Sequence, residues 1–460
     1  MKKVLLLNPP AKDLILRHNY SSYTSKAGYY WPSTDLLVLS GVLSGHFDLY
    51  MIDAIVQRIS ARDCLKMVKE IGPDAVIFVS GTASWKGDFE FISELKKYFS
   101  PLILISSGMM LKNGSQIMQD NNFLDATILN FVDSSVVDYI KEGKGGVNLL
   151  WRENGKIFGN EVISCTENFS YVIPRHELFP LRRYKMPLLK RKPFTCITAS
   201  FGCPFKCSFC IDSILGYQKR SVKNILDELQ YIKELGIKEV MFSDATFTAN
   251  KKHVLEICEG MHKLSLDLAW SCNVHASTID KELVRGMKEA GCHLVGIGIE
   301  SGSEDILIEY SKSTTKEKIR QAISICKSLK VETLGYFIIG LPGEDKSKIL
   351  STIKFGLELD PTLASFSIAT PDIGTKLWED CLSRRLISTE YQEFDSSKTS
   401  VIKLKEVSPE DVIHFKNMAY LKFYLRPNKI FNLFRFFLKR NNISDFFEFS
   451  IGFLKNIFFT

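Results

Sequence analysis

The chain has 460 residues, of which 45% are hydrophobic and 24% are charged. This composition excludes a disordered protein and leaves room for two or three domains. The 11 Cys are too sparse for a disulfide scaffold, although the net charge of +7 and the 32 Phe are unusual. The N-terminal apolar run, residues 4–7, is too short for a secretory signal, and no apolar stretch is long enough to span a membrane. We therefore expect a reducing, cytoplasmic compartment.

Residues 1–150 alternate short apolar runs with helical patterns. The runs are rich in Val, Ile and Leu, as is typical of strands buried on both faces of a parallel sheet. They occupy residues 4–7, 49–52, 75–79, 102–105 and 126–129. The pattern predicts a five-stranded, doubly wound, Rossmann-like α/β domain.

A second alternation follows a short hairpin and a basic, Pro-rich linker, which together occupy residues 151–192. Six strand-like runs, each followed by a helical pattern, lie within residues 193–400. Their positions are 195–199, 239–242, 268–271, 294–299, 331–339 and 364–368. We predict a partial (β/α)6 barrel, whose reactive residues would lie at the carboxyl ends of the strands. Residues 401–460 form an aromatic, basic tail that is predicted to be helical.

Three cysteines follow the first predicted barrel strand with the spacing C-x3-C-x2-C. They are Cys203, Cys207 and Cys210. A zinc site usually has four ligands, and no second pair follows here. Three thiolates suit three corners of a four-iron, four-sulfur cluster and leave the fourth iron open. This is the favoured interpretation, and a zinc site or three incidental cysteines are the alternatives.

This cysteine motif resembles that of the radical S-adenosylmethionine (SAM) superfamily, and later strand ends extend the resemblance. The matching segments are Gly296-Ile297-Gly298-Ile299-Glu300-Ser301-Gly302, Gly340-Leu341-Pro342-Gly343-Glu344 and Thr370-Pro371-Asp372-Ile373-Gly374-Thr375. The resemblance implies that SAM binds the open iron and that one electron cleaves it to a 5′-deoxyadenosyl radical. It also implies an external electron donor of the flavodoxin or ferredoxin type. The implied SAM contacts are Phe209, Asp244, Gly298, Glu300, Ser301, Gly340 and Pro371.

One position departs from the family pattern. Relatives often carry Arg after the third strand, where this chain has Asn273. The change removes a charge that would hold the SAM carboxylate. His275 is a candidate replacement, and a structural role for His275 is the alternative.

The N-terminal domain resembles the cobalamin-binding domain of a group that includes magnesium-protoporphyrin cyclase-like proteins and class B radical SAM methyltransferases. The resemblance implies that six residues at strand ends contact cobalamin: Asn8, Asp53, Ser80, Thr82, Ser107 and Gly108. The chain lacks the D-x-H-x-x-G stretch that supplies a histidine ligand, and it has Asn130-Phe131 where relatives have Gly-Glu. The alternative is a domain that covers the barrel mouth without binding cobalamin.

These resemblances imply methylation of an unactivated carbon, with Tyr336 as a candidate catalytic relay. A radical cyclase, oxidase or rearrangement enzyme is the first alternative. A tRNA methylthiotransferase is disfavoured, because such enzymes carry cysteines for a second cluster in the N-terminal domain, where this chain has only Cys64. A binding protein with an inert barrel is the non-enzymatic alternative.

The tail carries ten Lys or Arg against five Asp or Glu, and 12 of the 32 Phe. Within residues 429–440, Asn432, Arg435 and Lys439 form a narrow polar stripe on a mostly apolar helix. Such a helix packs on the barrel or lies in a membrane interface. We therefore expect a small-molecule or lipid substrate and allow for peripheral membrane contact. No nucleic-acid partner is expected, because no RNA-binding module is present.

Overall fold

The structure is a computed structural model that describes residues 1–160, 168–186, 189–387, 393–438 and 450–452. The N-terminal apolar runs form parallel strands because helices cover both faces of their sheet. The elements in chain order are β1 (Lys3–Asn8), β2 (Ile15–His18), β3 (Ser21–Thr24), α1 (Thr34–Val42), β4 (Asp48–Asp53), α2 (Ala54–Gln57), α3 (Ala61–Ile71), β5 (Ala75–Val79), α4 (Trp85–Phe99), β6 (Leu102–Ser106), α5 (Met110–Asp120), β7 (Ala126–Ile128), α6 (Ser135–Glu142), β8 (Leu149–Glu153) and β9 (Lys156–Gly159).

The strand order of this sheet is β4-β1-β5-β6-β7-β8-β9. The five predicted strands are parallel, and the order reverses beside β1, as in a doubly wound fold. The predicted hairpin at residues 151–159 is β8–β9, which extends the sheet through antiparallel pairing with β7. The sheet therefore has seven strands rather than five. The separate hairpin β2–β3 was not predicted, because each strand has only four residues.

The remaining elements form the barrel and the tail. They are β10 (Asn168–Phe169), β11 (Phe194–Ile197), β12 (Ser200–Gly202), β13 (Tyr217–Arg220), α7 (Val222–Glu234), β14 (Glu239–Phe242), α8 (Lys251–Lys263), β15 (Ala269–Val274), α9 (Lys281–Glu289), β16 (Cys292–Glu300), α10 (Glu304–Glu309), α11 (Lys316–Ser328), β17 (Glu332–Ile339), α12 (Lys346–Leu359), β18 (Leu363–Ile368), α13 (Lys376–Ser383), α14 (Pro409–Tyr424) and α15 (Pro427–Leu438). Six parallel strands follow one another in the order β11-β14-β15-β16-β17-β18, with β11 and β18 at the edges. The expected partial (β/α)6 barrel is confirmed.

The N-terminal sheet sits with its carboxyl edge over the mouth of the barrel. Asn19 and Thr34 both bond to Ser243 at the end of β14. The ring of Tyr20 packs against Phe131 of its own domain and against Phe201, just before the cysteine loop. The two halves therefore share one hydrophobic core at the barrel mouth.

The tail packs on the edge strand of the barrel. The hydroxyls of Tyr420 and Tyr424 donate to the Phe366 and Ala364 carbonyls, at 3.0 and 2.8 Å, and accept from the backbone amides of the same two residues. These bonds occupy backbone groups of β18 that no further strand pairs with in the described sheet. Helix α14 of the tail therefore packs on the barrel.

Helix α15 has one packed face and one exposed face. Leu433 and Phe437 are buried in the barrel core. The opposite face leaves large apolar side chains exposed, namely Ile430, Phe431, Phe434 and Leu438. Lys439, the last member of the predicted polar stripe, lies outside the described residues. Within the described ranges, no helix is long and apolar enough to cross a membrane.

Candidate active site

The three clustered cysteines lie on a tightly held loop after β12. Gly202 has a φ of +67°, and an added methyl group would collide with the carbonyl of Gly216, so glycine is required there. The Cys203 amide donates to that carbonyl at 2.9 Å, and the Cys210 amide donates to the Cys207 carbonyl at 3.1 Å. These bonds fix the backbone from which the three thiols project.

The thiols are largely buried next to a cation. Burial raises the pKa of Cys207 to about 11, while the nearby Lys312 ammonium opposes that rise. Burial disfavours the charge on Lys312, but the Glu300 carboxylate and the Cys207 thiol hold its pKa above the ordinary value. Lys312 Nζ lies 2.7 Å from Glu300 Oε1. No recognisable motif surrounds Lys312, so its place in the site was not predictable from the sequence.

The donor set suits an iron–sulfur cluster better than a single ion. In the part of the chain that the structure describes, no three imidazole, thiol or carboxylate groups converge to hold one metal ion. Each thiolate of a four-iron cluster binds a different iron, so its ligands surround a larger body and need not converge on one point. Cys203, Cys207 and Cys210 are free thiols on one loop, and they fit such a cluster.

The end of β16 forms a cradle in which side chains are kept small. A methyl group added at Gly296 would lie 2.5 Å from Asn273 Oδ1 and 2.7 Å from the Tyr336 ring. The register to β17 shifts between Gly298 and Glu300, and Glu300 has a φ of +63°. This bulge directs the Glu300 side chain towards Lys312. Such a cradle lets a cofactor approach the backbone closely, which fits SAM.

A cavity of about 490 Å³ opens between the cysteine loop and the carboxyl ends of the strands. Four of the predicted site residues line it: Phe209, Cys210, Glu300 and Tyr336. Ser271 also lines it, and its hydroxyl is buried without a hydrogen-bond partner. An unpartnered hydroxyl at such a wall is available to a bound molecule. The cavity therefore brings together the cluster loop, the glycine cradle and the candidate relay.

Other predicted SAM contacts stabilise the turns around the cavity and are not part of its lining. Asp244 accepts from the Ala199 amide at 3.1 Å and from Ser200 Oγ at 2.5 Å, so it fixes the backbone before the cysteine loop. The hydroxyl of Ser301 lies 3.2 Å from Thr352 Oγ1. Gly298, Gly340 and Pro371 also lie at the barrel mouth without lining the cavity.

His275 does not take the place of the missing arginine. Its ring stacks on Phe205 at 3.9 Å, and its Nε2 lies 2.9 Å from the Lys312 carbonyl. Burial lowers the pKa of His275 to about 4, so the ring is neutral near neutral pH. Asn273 does line the cavity and accepts from the Tyr336 hydroxyl at 3.2 Å. The structural interpretation of His275 is the one the geometry supports.

The predicted cobalamin contacts lie together at the carboxyl edge of the first sheet, outside the cavity. Asn8 Nδ2 donates to Asp53 Oδ1 at 2.9 Å, and Asn8 Oδ1 accepts from Arg17 at 2.7 Å. Arg17 also pairs with Asp88 at 2.5 Å, and both side chains are 1% exposed. Ser80 donates to the same carboxylate. These polar side chains therefore already form hydrogen bonds or ion pairs with other residues of the chain.

Hairpin β2–β3 covers this edge. The Gly108 amide donates to the Tyr20 carbonyl at 3.1 Å, and a methyl group added at Gly81 would lie 2.5 Å from Ser22 Oγ. Thr82 is held too, because its carbonyl accepts from Phe394 N. Ser107 Oγ is buried here without a partner. A corrin with its nucleotide tail does not fit against these residues while the hairpin lies on the edge.

Comparisons with known proteins agree with this arrangement. A family model described as the radical SAM superfamily matches residues 197–356. An uncharacterized methyltransferase from Pyrococcus horikoshii is 31% identical, over 95% of this chain and 96% of that protein.

Two solved structures share the fold. OxsB, a cobalamin-dependent SAM radical enzyme solved with aqua-cobalamin and SAM bound, has a TM-score of 0.71 at 16% identity and covers 97% of this chain and 72% of its own. The radical SAM methyltransferase TsrM from Kitasatospora setae, solved with cobalamin and a [4Fe-4S] cluster, has a TM-score of 0.63 at 17% identity, covering 83% and 78%.

Proposed function

Since this chain belongs to the radical SAM superfamily, we propose that it is a radical enzyme that methylates an unactivated carbon. The observation that carries the proposal is the single cavity onto which the cysteine loop, the glycine cradle and Tyr336 all open. When bound, the cluster and SAM supply a 5′-deoxyadenosyl radical that removes hydrogen from the substrate. The methyltransferase names of the Pyrococcus relative and of TsrM support methylation.

The chain's own residues position the reactants and exclude water. Cys203, Cys207 and Cys210 would hold the cluster, with Lys312 balancing its charge. Phe209 would pack on the adenine, while the Glu300 carboxylate would hold the amino acid or ribose part of SAM. Asp244, Ser301 and Gly340 would act as positioning residues, because their hydrogen bonds fix the turns around the cavity. Tyr336 would hold a proton at its hydroxyl, beside Asn273.

Radical SAM enzymes use an external electron donor, and we propose a flavodoxin or ferredoxin in that role. The donor has to approach the cluster from outside the cavity. Lys206 lies in the cysteine loop, and its Nζ donates to the Ser213 carbonyl at 3.0 Å in an exposed position. This cation would favour an acidic partner such as either donor protein.

The proposed reaction is tested by reconstituting the chain anaerobically with iron and sulfide and adding SAM, reductant and cobalamin. We expect broad visible absorbance from a cluster and formation of both 5′-deoxyadenosine and S-adenosylhomocysteine. The second product marks transfer of the SAM methyl group to an acceptor, and the acceptor supplied in this assay is the added, reduced cobalamin. A cyclase or rearrangement enzyme leaves 5′-deoxyadenosine alone. Absence of both products in a sample that holds its cluster would contradict the proposal.

Cobalamin is a candidate cofactor because both solved structures that share this fold contain it. The predicted contacts do not fit it with hairpin β2–β3 in place, so no reaction step is assigned to it here. We propose that cobalamin binds at this edge only when the hairpin leaves it, with Ser107 Oγ then available to the ligand.

The exposed face of α15 supports a membrane-surface contact. Phe431 is 58% exposed, and Arg435 lies over its ring at 5.5 Å. Apolar side chains with interleaved cations favour an anionic lipid surface. We expect the reconstituted enzyme to sediment with vesicles that contain anionic lipid, and the double variant F431D/F434D to stay in the supernatant while it keeps its cluster absorbance. Equal sedimentation of both proteins would contradict this contact.

A further inference from the structure

A buried serine lies deep in the cavity without a hydrogen-bond partner. Ser271 is 4% exposed and lines the cavity, and its hydroxyl has no partner among the described residues. It precedes Asn273 by two positions on β15, so both side chains lie on the inner face of the barrel. Ser271 is therefore about 6–7 Å further from the carboxyl end of the strand. A buried hydroxyl without a partner has lost its bonds to water without replacement, so a bound molecule could supply the missing bond.

Apolar side chains surround this hydroxyl. The register neighbours of Ser271 are Met241 on β14 and Leu294 on β16, and both line the cavity. Leu334 and Leu363, which pair with each other on β17 and β18, continue the same wall. We call these five residues the cavity floor. One hydroxyl among four apolar side chains fits a ligand that is mostly hydrocarbon and carries a single polar group.

The two lysines that line the cavity are bound by the chain itself. Lys26 Nζ donates to two serine hydroxyls of β18, at 3.2 and 2.7 Å, and to one carbonyl of the same strand at 3.1 Å, which accounts for its three ammonium protons. Lys416 Nζ donates to the Ser397 carbonyl at 2.6 Å. Burial lowers the pKa of Lys416 to about 8, and the Asp395 carboxylate opposes that fall. A ligand therefore needs no anionic group to satisfy either lysine.

The acidic residues of the cavity lie at its cluster end. Glu300 pairs with Lys312, and Asp212 lies two positions after Cys210. Asp372 follows β18, at the carboxyl edge of the barrel. The cavity floor, by contrast, consists of uncharged side chains, and burial of an ionised group against them would be costly. The floor therefore favours an uncharged ligand.

We propose that the cavity floor is the substrate subsite, and that it takes an uncharged, largely apolar molecule with one neutral oxygen group hydrogen-bonded to Ser271 Oγ. The inference rests on the proposed function and names its substrate class. Gly296 follows Leu294 by two positions on β16 and has no side chain, so the space between the floor and the glycine cradle is open. A substrate held on the floor would thus present a carbon towards the end of the cavity proposed for SAM.

The experiment compares three probes that share one ring system: 2-ethylnaphthalene, 2-naphthalenemethanol and 2-naphthoate. Binding to the reconstituted enzyme with SAM, without reductant, is measured by equilibrium dialysis at about pH 7.5, where a carboxylate is ionised. We expect the alcohol to bind at least about tenfold more tightly than the carboxylate, because the floor does not compensate the lost hydration of an anion. Equal or tighter binding of the carboxylate would overturn the uncharged substrate class.

The variant S271A tests the hydrogen bond. It should weaken binding of the alcohol by about fivefold, the effect of one net hydrogen bond, and leave the affinity for 2-ethylnaphthalene near the wild-type value. The fold should tolerate the change, since it removes a buried hydroxyl that has no partner. An equal effect on both probes would show that Ser271 Oγ does not bind the ligand.

The variant L294W tests the location, because an indole ring would fill the floor. It should weaken binding of both uncharged probes at least about tenfold in a sample that keeps its cluster absorbance. Unchanged affinities would place the probes outside the floor and overturn the subsite. S324A is the matched control, because Ser324 lies exposed on α11, and all three affinities should equal those of wild type.

These measurements are independent of the proposed reaction, because no reductant is present and SAM is not cleaved. Formation of 5′-deoxyadenosine by wild type with reductant is measured separately. Its absence would contradict the proposed reaction, whereas the probe affinities decide the subsite.

Discussion

Replacing Cys207 by Ala should abolish both the cluster absorbance and the cleavage of SAM. Cys207 is buried at the centre of the cysteine loop and is one of three thiols proposed to bind separate irons. Mutation of a residue that hydrogen-bonds a metal ligand typically lowers metal affinity or activity by about 10–100-fold. Loss of a ligand itself should therefore lower 5′-deoxyadenosine formation by more than about 100-fold. Iron and sulfide content, visible absorbance and product formation after anaerobic reconstitution measure the effect.

The matched control is C258A. Cys258 is equally buried, but it lies on α8 in the barrel wall, away from the cysteine loop. Its loss should leave iron content and product formation near wild type, with a small destabilisation from the lost sulfur atom. If C207A kept a full cluster and normal SAM cleavage, the cysteine motif would not be the cluster site. The proposed roles of the three cysteines would then be wrong.

The cysteine loop and the glycine cradle could be predicted from the sequence because their signals are local. A C-x3-C-x2-C loop and a Gly-x-Gly strand end are short motifs, and the fold keeps each of them intact. Strand positions were equally predictable, because β5 is an unbroken apolar run and β6 is apolar up to its last residue. A loop or strand that is formed by residues adjacent in the sequence could therefore be predicted from that sequence segment alone.

The part of the cavity that Lys26 and Lys416 line was not predictable, because distant residues assemble it. Lys26 and Lys416 are 390 positions apart, and neither lies in a motif. The tyrosines at 420 and 424 do share one helix face, and their i, i+4 spacing was the available signal for a packed rather than a membrane-bound helix. The Phe-rich, basic composition of the tail instead suggested a membrane-facing surface and gave no sign of that packed inner face.

At the carboxyl edge of the first sheet, the sequence predicted the positions of the residues but not what covers them. The six residues expected to contact cobalamin do lie at strand ends, as a doubly wound sheet requires. What covers them is the segment between β1 and α1, whose two four-residue strands are too short to give a periodic signal. The domain fold follows from local patterns, whereas access to its edge depends on how this intervening segment folds back.

The largest stability effect is expected from the ion pair that holds this hairpin. Arg17 donates to both carboxylate oxygens of Asp88, at 3.1 and 2.5 Å, with both side chains almost fully buried. R17M would leave the Asp88 carboxylate buried without its cation, so the free energy of unfolding should fall by about 3–5 kcal/mol. The double variant R17M/D88L should recover much of the loss, since it removes the unpaired charge. Denaturant unfolding of the reconstituted enzyme measures both values.

The control is K251M, which removes an exposed pair with Asp280, whose side chains are 41% and 47% exposed. That change, which also removes the exposed contact between Lys251 and Glu282, should leave the free energy of unfolding close to the wild-type value. The same variants test access to the sheet edge, because R17M/D88L keeps the fold while it removes the bonds from Arg17 to Asn8 and Asp88. We expect this double variant to retain more cobalamin after desalting than wild type and to exchange the amide hydrogens of residues 15–24 faster. If wild type bound cobalamin with its hairpin amides still fully protected, the hairpin would not control the site, and the corrin would have to lie elsewhere between the two halves.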